Sequence, residues 1–351
     1  MMIPRCRSLA ALALAGLVTF GVAFAPVSAG AQGASADGSD FEAYLEQLKA
    51  RARAEGVREA TVTRMTLGLT PNPRVIALDA NQPGSATAGG YPAMSRYIAT
   101  HVDAARIAGG RAVHGQHREL LGRIEGQYGV PASVIVAIFG HETSYGRVKG
   151  DFDLARSLAT LAWEGRRREL FSDEFVALMK IADRGYDRSQ LVGSYAGAFG
   201  NPQFLPSVYL RLATDGDGDG RADIFSNRAD TFASIANYFR DAGWRAGEPW
   251  GVRTSVPSGF DIAAYRTRLV SPVCPRVHER LSRWMTVAEW RAAGLVPQGP
   301  VADDVMASFF QPDGPGTRAW LLTGNYRVIL EYNCSSYYAL SVGLLADEIV
   351  N

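Results

Sequence analysis

Along most of the chain, apolar positions recur at intervals of three and four residues, the mark of helices that bury one face. Phe41, Leu45 and Leu48 stand among Glu, Lys and Arg, and the spacing predicts a helix over Phe41 to Met65. A Pro/Gly-rich stretch from Pro71 to Pro92 interrupts the pattern. Tyr97 to Tyr128 then reads as helix again, with Leu120, Leu121 and Ile124 as its stripe, and Pro131 opens a new segment. From there to Trp244 the pattern stays helical, broken by glycine-rich turns at Gly146 to Gly150, Gly193 to Gly200 and Asp215 to Gly220. Beyond Glu248 it changes: the prolines from Pro249 to Pro315 cut up short runs such as Thr267 to Val270, which predicts small strands and loops. A last apolar stretch begins at Tyr326 to Tyr332 and continues as a helix over Tyr337 to Ile349. No internal repeat of solenoid length is visible.

Charge narrows the picture. The 351 residues carry 36 basic and 35 acidic side chains, a net charge of +1, and 47% are hydrophobic. That balance excludes a disordered tail or a polybasic arm, so no nucleic-acid partner is expected. The length supports a core split into two or three subdomains.

The first 36 residues differ from the rest. Arg5 and Arg7 form a basic head, an apolar run extends from Leu9 to Ala25, and small-residue sites follow at Val27-Ser28-Ala29 and Ala29-Gly30-Ala31. This is the layout of a cleaved secretory signal peptide, and the alanines and glycines make the run too weakly apolar for a good membrane anchor. Cys6 precedes the run instead of following it, so a lipoprotein is not expected. Cleavage leaves Cys274 and Cys334, either one disulfide in an oxidising compartment or two unrelated buried thiols.

The segment from Pro131 to Glu142 is the most informative. Pro131 suits a helix's first turn, and Val134, Ile138 and Glu142 fall four apart on one face, so Glu142 continues an apolar stripe. Desolvation there disfavours the charged carboxylate and raises its pKa towards the working range of a proton donor. Gly140 and Gly146 flank it, which suggests room for a bulky ligand to approach the backbone. The plainer alternative is a helix-end glutamate paired with Arg147 or Lys149. A zinc helix is ruled out because Tyr145 stands where that motif requires His.

A second candidate is acidic. Asp215, Asp217, Asp219 and Asp223 occupy positions 1, 3, 5 and 9 of an EF-hand-like loop, with Gly220 at position 6 and the Arg221 carbonyl at 7. Position 12 is Ser226 and not Glu, so water or Asp230 would complete the shell. Hard oxygen ligands favour Ca2+ in a structural role; the alternative is a solvated acidic turn.

These residues resemble the lytic murein transglycosylase B family. The resemblance is carried by Gly140-His-Glu142-Thr-Ser-Tyr-Gly146, by Gly193-Ser-Tyr-Ala-Gly-Ala-Phe-Gly200-Asn-Pro-Gln203-Phe204-Leu-Pro-Ser207, by Ala236-Asn237-Tyr238-Phe239, and by Tyr332-Asn333-Cys334-Ser335 with Tyr338-Ala339. These motifs are colinear from about Phe41 to the C-terminus. The resemblance implies a mainly α (α+β) chain: a goose-lysozyme-like helical catalytic core with an appended helical subdomain and a small β subdomain. Residues 1–36 would be signal peptide and linker, 37–112 the N-terminal helical subdomain, 113–248 the lysozyme-like core with the calcium-type loop, and 249–351 the small β subdomain and returning helix.

The family cuts the MurNAc-GlcNAc β-1,4 bond of peptidoglycan. Carried over by position, Glu142 matches its single acid/base and Ser194 a serine near the reacting sugar. Gln203 and Phe204 match a glycan-binding pair, and Tyr238, Tyr338 and Tyr97 match tyrosines of the cleft. Arg166 and Arg167 match an arginine pair suited to stem-peptide carboxylates. The family also carries a cation site at the acidic loop. Leu170 and Asn201-Pro202 depart from the family pattern, which bears on subsite affinity. Taken alone, Ser194 could be a turn residue, Gln203 could satisfy buried backbone, and Tyr238 and Tyr338 could be core. No cofactor is expected for the chemistry. The expected protein is a periplasmic monomer acting on glycan strands, with a cell-wall synthesis or division complex as partner. The alternatives are a hydrolytic muramidase and a non-catalytic peptidoglycan-binding scaffold.

Overall fold

The computed structural model describes residues 38–81, 92–266, 274 and 281–351. The expected signal peptide and the run Thr267 to Val270 lie outside the described residues. The described chain is mostly helical, with one small sheet near its C-terminal end.

The expected first helix is two, α1 (Gly38–Ala54) and α2 (Glu59–Thr66), because the chain turns at Gly56 with φ +87°. After α3 (Pro73–Ala80), the expected helix over Tyr97 to Tyr128 is three: α4 (Met94–His101), α5 (Ala104–Gln116) and α6 (Arg118–Tyr128). Asp103 forces the first break, since its side chain accepts the Arg106 amide and starts a new helix. Gly129, in the left-handed region, ends α6. α7 (Ala132–Thr143) follows, Pro131 standing at its N-cap and Glu125 of α6 accepting the Ala132 amide at 2.9 Å.

The chain continues through β1 (Phe152–Asp153), α8 (Leu154–Glu164), α9 (Arg168–Asp183), β2 (Val192–Gly193), α10 (Pro206–Leu212) and α11 (Arg228–Asp241). Strands β1 and β2 pair antiparallel. Past Trp244 the expected change of character appears: β3 (Gly251–Ser255), β4 (Trp284–Thr286), α12 (Val287–Ala292), β5 (Val296–Pro297), β6 (Met306–Phe310) and β7 (Ala319–Thr323). These strands form one antiparallel sheet ordered β4-β6-β7-β3-β5. The chain then returns to the helical body as α13 (Gly324–Tyr332) and α14 (Ser336–Val350).

Among the described residues, three apolar cores result. One joins α7, α11, α13 and α14. A second packs α1 to α3 against α8, α9 and the loop from Tyr195 to Phe204. The third fills one face of the sheet around Trp290 and Phe309. Helix α7 is apolar on nearly every side and lies packed among α5, α11 and α14. An all-round apolar helix belongs in the centre of a core, and this one carries Glu142 in its last turn. Trimming Ile138, fully buried on the same face, to Ala is expected to cost about 2–5 kcal/mol. Cys274 and Cys334 are bonded in a disulfide with 5.1 Å between their Cα atoms, tying the segment before β4 to the link between α13 and α14. Among the described residues, no helix is long and apolar enough to cross a membrane.

Candidate active site

Glu142 lies half-buried in the last turn of α7, and its Oε1 accepts a hydrogen bond from the Tyr338 hydroxyl of α14 at 2.5 Å. Burial pushes its pKa up to about 7, and the Tyr338 bond, which favours the carboxylate, offsets part of that rise. The plainer ion-pair alternative does not form: Arg147 Nε donates to the Ser144 carbonyl and Lys149 Nζ to the Phe225 carbonyl. Tyr332 and Tyr338 are both held well above the ordinary phenol pKa, by burial first and then by the nearby Glu142 charge. Tyr97 is pushed up to about 12, by burial and, less, by the same carboxylate. Three phenols from α4, α13 and α14 therefore face the acid in their neutral forms.

The turn after Glu142 is unusual. Ser144, Tyr145 and Gly146 have φ of +50°, +64° and +87° in succession. Left-handed backbone costs a non-glycine residue about 1–2 kcal/mol, and two such residues side by side need compensation. Local bonds supply some: Ser144 N donates to Gly140 O, Tyr145 N to Phe139 O, and Gly146 N to Thr143 Oγ1. The glycines beside Glu142 do not open room for a ligand, contrary to the expectation from sequence. A Cβ at Gly140 would lie 2.6 Å from the Tyr145 ring, and one at Gly146 would lie 2.8 Å from the Arg228 guanidinium. The missing methyls are filled by the protein's own side chains.

The other expected residues fall into two groups. Phe204 and Tyr238 pack together with Tyr332, their ring centroids 4.7–6.1 Å apart. Tyr238 donates to the Glu331 carbonyl and Tyr332 to the Pro202 carbonyl. Gln203, at φ +50°, donates from Nε2 to the carbonyls of Gly200 and Lys149, linking its loop to the one behind Glu142. Ser194 Oγ accepts the Ala198 amide at 3.0 Å and closes the glycine-rich turn. Tyr97 stacks on His101 and meets Tyr337 edge-on.

Arg166 and Arg167 form the second group. Both guanidinium groups bond the buried carboxylate of Asp79 at the end of α3. Arg166 remains about half exposed in its side chain while holding that partner. Of the polar groups around the acid, sequence reasoning missed Tyr332 and His141. His141 lies between His101 and Tyr338, and burial lowers its pKa to about 3, so it is neutral. A signal for each was present, Tyr332 in its motif with Cys334 and His141 beside Glu142 in the first motif, but neither motif assigned the residue a role.

The acidic loop lies before α11. Asp215, Asp217 and Asp230 bring ligand oxygens within 4.8 Å of one another. Asp230 is fully buried, and burial and the two neighbouring carboxylates raise its pKa. Such a carboxylate trio fits a hard divalent cation such as Ca2+. Asp219 and Asp223 do not join the trio: Asp219 accepts the Arg221 amide, and Asp223 accepts the Phe225 and Ser226 amides. The Arg221 guanidinium lies over the Tyr186 ring.

The chain is 33% identical over 262 residues to membrane-bound lytic murein transglycosylase B of Escherichia coli (strain K12). The match takes in 72% of this chain and 66% of that protein, so the chain spans just under two thirds of its relative's length. SltB3 from Pseudomonas aeruginosa, solved in complex with NAG-anhNAM-pentapeptide and with NAG-NAM-pentapeptide, superposes with a TM-score of 0.79 at 36% identity. That superposition covers 89% of this chain and 80% of SltB3. The Escherichia coli lytic transglycosylase Slt35 in complex with calcium superposes with a TM-score of 0.70 at 29% identity, covering 90% of this chain and 94% of that one. Residues 40–347, nearly the whole described chain, match the transglycosylase SLT domain, and the protein belongs to that family.

Proposed function

We propose that the protein is a periplasmic lytic transglycosylase that cleaves the MurNAc-GlcNAc β-1,4 bond of peptidoglycan and leaves 1,6-anhydromuramoyl ends. The observation that carries this reading is the half-buried Glu142 carboxyl, with a pKa of about 7 and a phenol on one oxygen. A group of that pKa is protonated often enough to act as an acid near neutrality and is basic enough to take the proton back.

In the proposed sequence Glu142 gives its proton to the glycosidic oxygen as the C1–O bond breaks. The N-acetyl carbonyl stabilises C1 as an oxazolinium species. The C6 hydroxyl of the same MurNAc then attacks C1 and loses its proton to the Glu142 carboxylate, which restores the acid. Tyr338 O–H stabilises the carboxylate between the two transfers. Tyr97, Tyr238 and Gln203 are the proposed glycan contacts and Ser194 is proposed to bond the reacting sugar, whereas Phe204, expected from sequence as a contact, is buried behind Tyr238 and Tyr332. SltB3 in complex with NAG-NAM-pentapeptide supports a substrate that carries stem peptides, with Arg166 as the more accessible guanidinium for their carboxylates.

A two-carboxylate hydrolase needs a second acid across the scissile bond. Among the candidates, Asp153 caps α8 and pairs with Arg188, Glu164 accepts the Arg166 amide, and Glu169 stands beside Arg51. Asp151 is an exposed loop residue. These commitments favour the single-acid route. The test is the mass of the muropeptides released by purified protein: anhydro products, one water lighter than the hydrolytic ones, are expected. Reducing ends would establish a muramidase, and no release from any wall substrate would leave a binding scaffold.

The trio Asp215, Asp217 and Asp230 is proposed to hold Ca2+ in a structural role. Slt35 in complex with calcium supports it. The loop's exit is bonded to the catalytic region, since Ile224 O accepts the Asn201 amide and Phe225 O accepts Lys149 Nζ. Export is proposed from the N-terminal sequence layout.

A further inference from the structure

We propose that Tyr145 is a positioning residue for Glu142: its ring, keyed into a slot left by three glycines, holds the left-handed turn that ends α7 immediately beyond the acid. The inference rests on the proposed role of Glu142.

The slot is specific. Ideal Cβ atoms at Gly109 and Gly140 would stand 2.7 Å and 2.6 Å from the Tyr145 ring carbons, and one at Gly110 would stand 2.6 Å from Ile349 and 2.8 Å from the Tyr145 hydroxyl. Gly109 and Gly110 belong to α5 and Gly140 to α7, so the ring lies wedged between two helices at a place where neither can carry a methyl. At its far end the hydroxyl donates to the Arg106 carbonyl of α5 at 2.6 Å. At its near end Tyr145 sits at φ +64°, with Ser144 before it at +50°. Nothing in Tyr145 itself favours that backbone region; its side-chain contacts do.

The consequence for Glu142 follows from its place in the helix. It is the penultimate residue of α7, and final turns fray unless they are tied. With the ring in its slot, Ser144 N and Tyr145 N stay on the carbonyls of Gly140 and Phe139, which closes that last turn. Glu142 then faces Tyr338 from α14, Tyr332 from α13 and Tyr97 from α4. On α7 itself the neighbouring titratable group is the neutral His141. Arg106 of α5 acts on Tyr97, His141 and Tyr145, while α11 lays Arg228 over Phe139 and α6 places Glu125 on the Ala132 amide. With the ring removed, the two strained residues relax, the last turn opens, and the Glu142 carboxyl meets water.

The experiment compares Tyr145→Phe, Tyr145→Leu and Gly140→Ala. Steady-state kinetics on peptidoglycan are measured alongside Tm and the carbon-13 NMR titration of the Glu142 carboxyl, assigned against Glu142→Gln. Tyr145→Phe keeps the ring in place and should stay within about threefold of the wild type. Tyr145→Leu and Gly140→Ala, which empty or block the slot, should each lower kcat by 30-fold or more with KM within twofold. Burial is the larger cause of the raised Glu142 pKa, so its titration midpoint should fall from about 7 towards 4.5 in both, and the alkaline limb of activity should move with it. An unmoved Glu142 midpoint in folded Tyr145→Leu and Gly140→Ala overturns the proposal whatever happens to Tm, because packing alone would explain any loss. The titration needs no substrate, so it stands apart from the proposed function. Failure of the wild type to release muropeptides would sink that reading and leave the positioning result readable.

Discussion

Tyr338 donates its phenolic proton to Glu142 Oε1 across 2.5 Å, from a position 196 residues further along the chain. Helices α7 and α14 pack against each other in one core, so this bond joins two helices and not two loops. Replacing the acid by Glu142→Gln keeps the shape and removes the transferable proton. Muropeptide release should fall by at least about 100-fold, the usual worth of a positioned acid/base.

The same carboxyl makes stability depend on pH. Its pKa is about 7 in the folded chain against an ordinary 4.5, so as pH rises the unfolded chain releases this proton first. The wild type therefore loses stability between pH 4.5 and about 7, on the order of 3 kcal/mol in all, whereas Glu142→Gln has no such proton to lose. Thermal melts of the two proteins should coincide in their pH trend below 4.5 and diverge above it, with the variant the more stable near neutrality. Parallel melting curves from pH 4 to 8 would show that the carboxyl is not desolvated.

Removing the phenol moves activity the other way from opening the turn. The Tyr338 bond lowers the Glu142 pKa, so Tyr338→Phe should raise it and carry the alkaline limb of kcat to higher pH. A pH-rate profile of the variant measures the displacement directly.

Calcium should act on stability before it acts on rate. Binding to the folded state alone raises stability by RT ln(1 + [L]/Kd), about 2.7 kcal/mol at a hundredfold excess over Kd. Calorimetry with Ca2+ and with a chelator should show the difference in the wild type and lose it in Asp217→Asn. Asp217 is the choice because Asp230 also supports the Gly216 and Asp223 amides, and its loss would damage the loop itself.

Asp79 is nearly sealed from solvent while answering two guanidinium groups. Asp79→Asn should cost about 2 kcal/mol, less than for a fully buried pair because Arg166 is half exposed. If Arg166 also binds stem-peptide carboxylates, the freed fork should lower KM for peptide-bearing glycan and leave KM for the denuded strand unchanged.

Much of this site was legible in one helix. The four-residue spacing of Val134, Ile138 and Glu142 placed a carboxyl on an apolar stripe, and the structure half-buries that carboxyl against Tyr338. What escaped was anything that depends on where distant segments meet. Asp79 lies 87 residues from Arg166, and no pattern along the chain shows that it occupies both arginines. Gly140 suggested space for a ligand because a sequence shows that a methyl is missing but not what fills the gap. The two breaks in the expected helix from Tyr97 to Tyr128 had different causes. The cap at Asp103 was readable from its residue type, while the restart at Arg118 begins at His117 with no side-chain cap. Asp230, expected from sequence only to complete the shell, stands in the acidic trio in place of Asp219 and Asp223, its carboxylate accepting the Gly216 and Asp223 amides of the loop.

The order of the small sheet has one more consequence. Its two outermost strands are stubs: β4 is three residues long and runs straight into α12, and β5 is two residues long and ends on Pro297, which has no amide proton to offer. A neighbour seeking to extend the ladder would find almost no open backbone to grip, so crowding should not make these sheets polymerise.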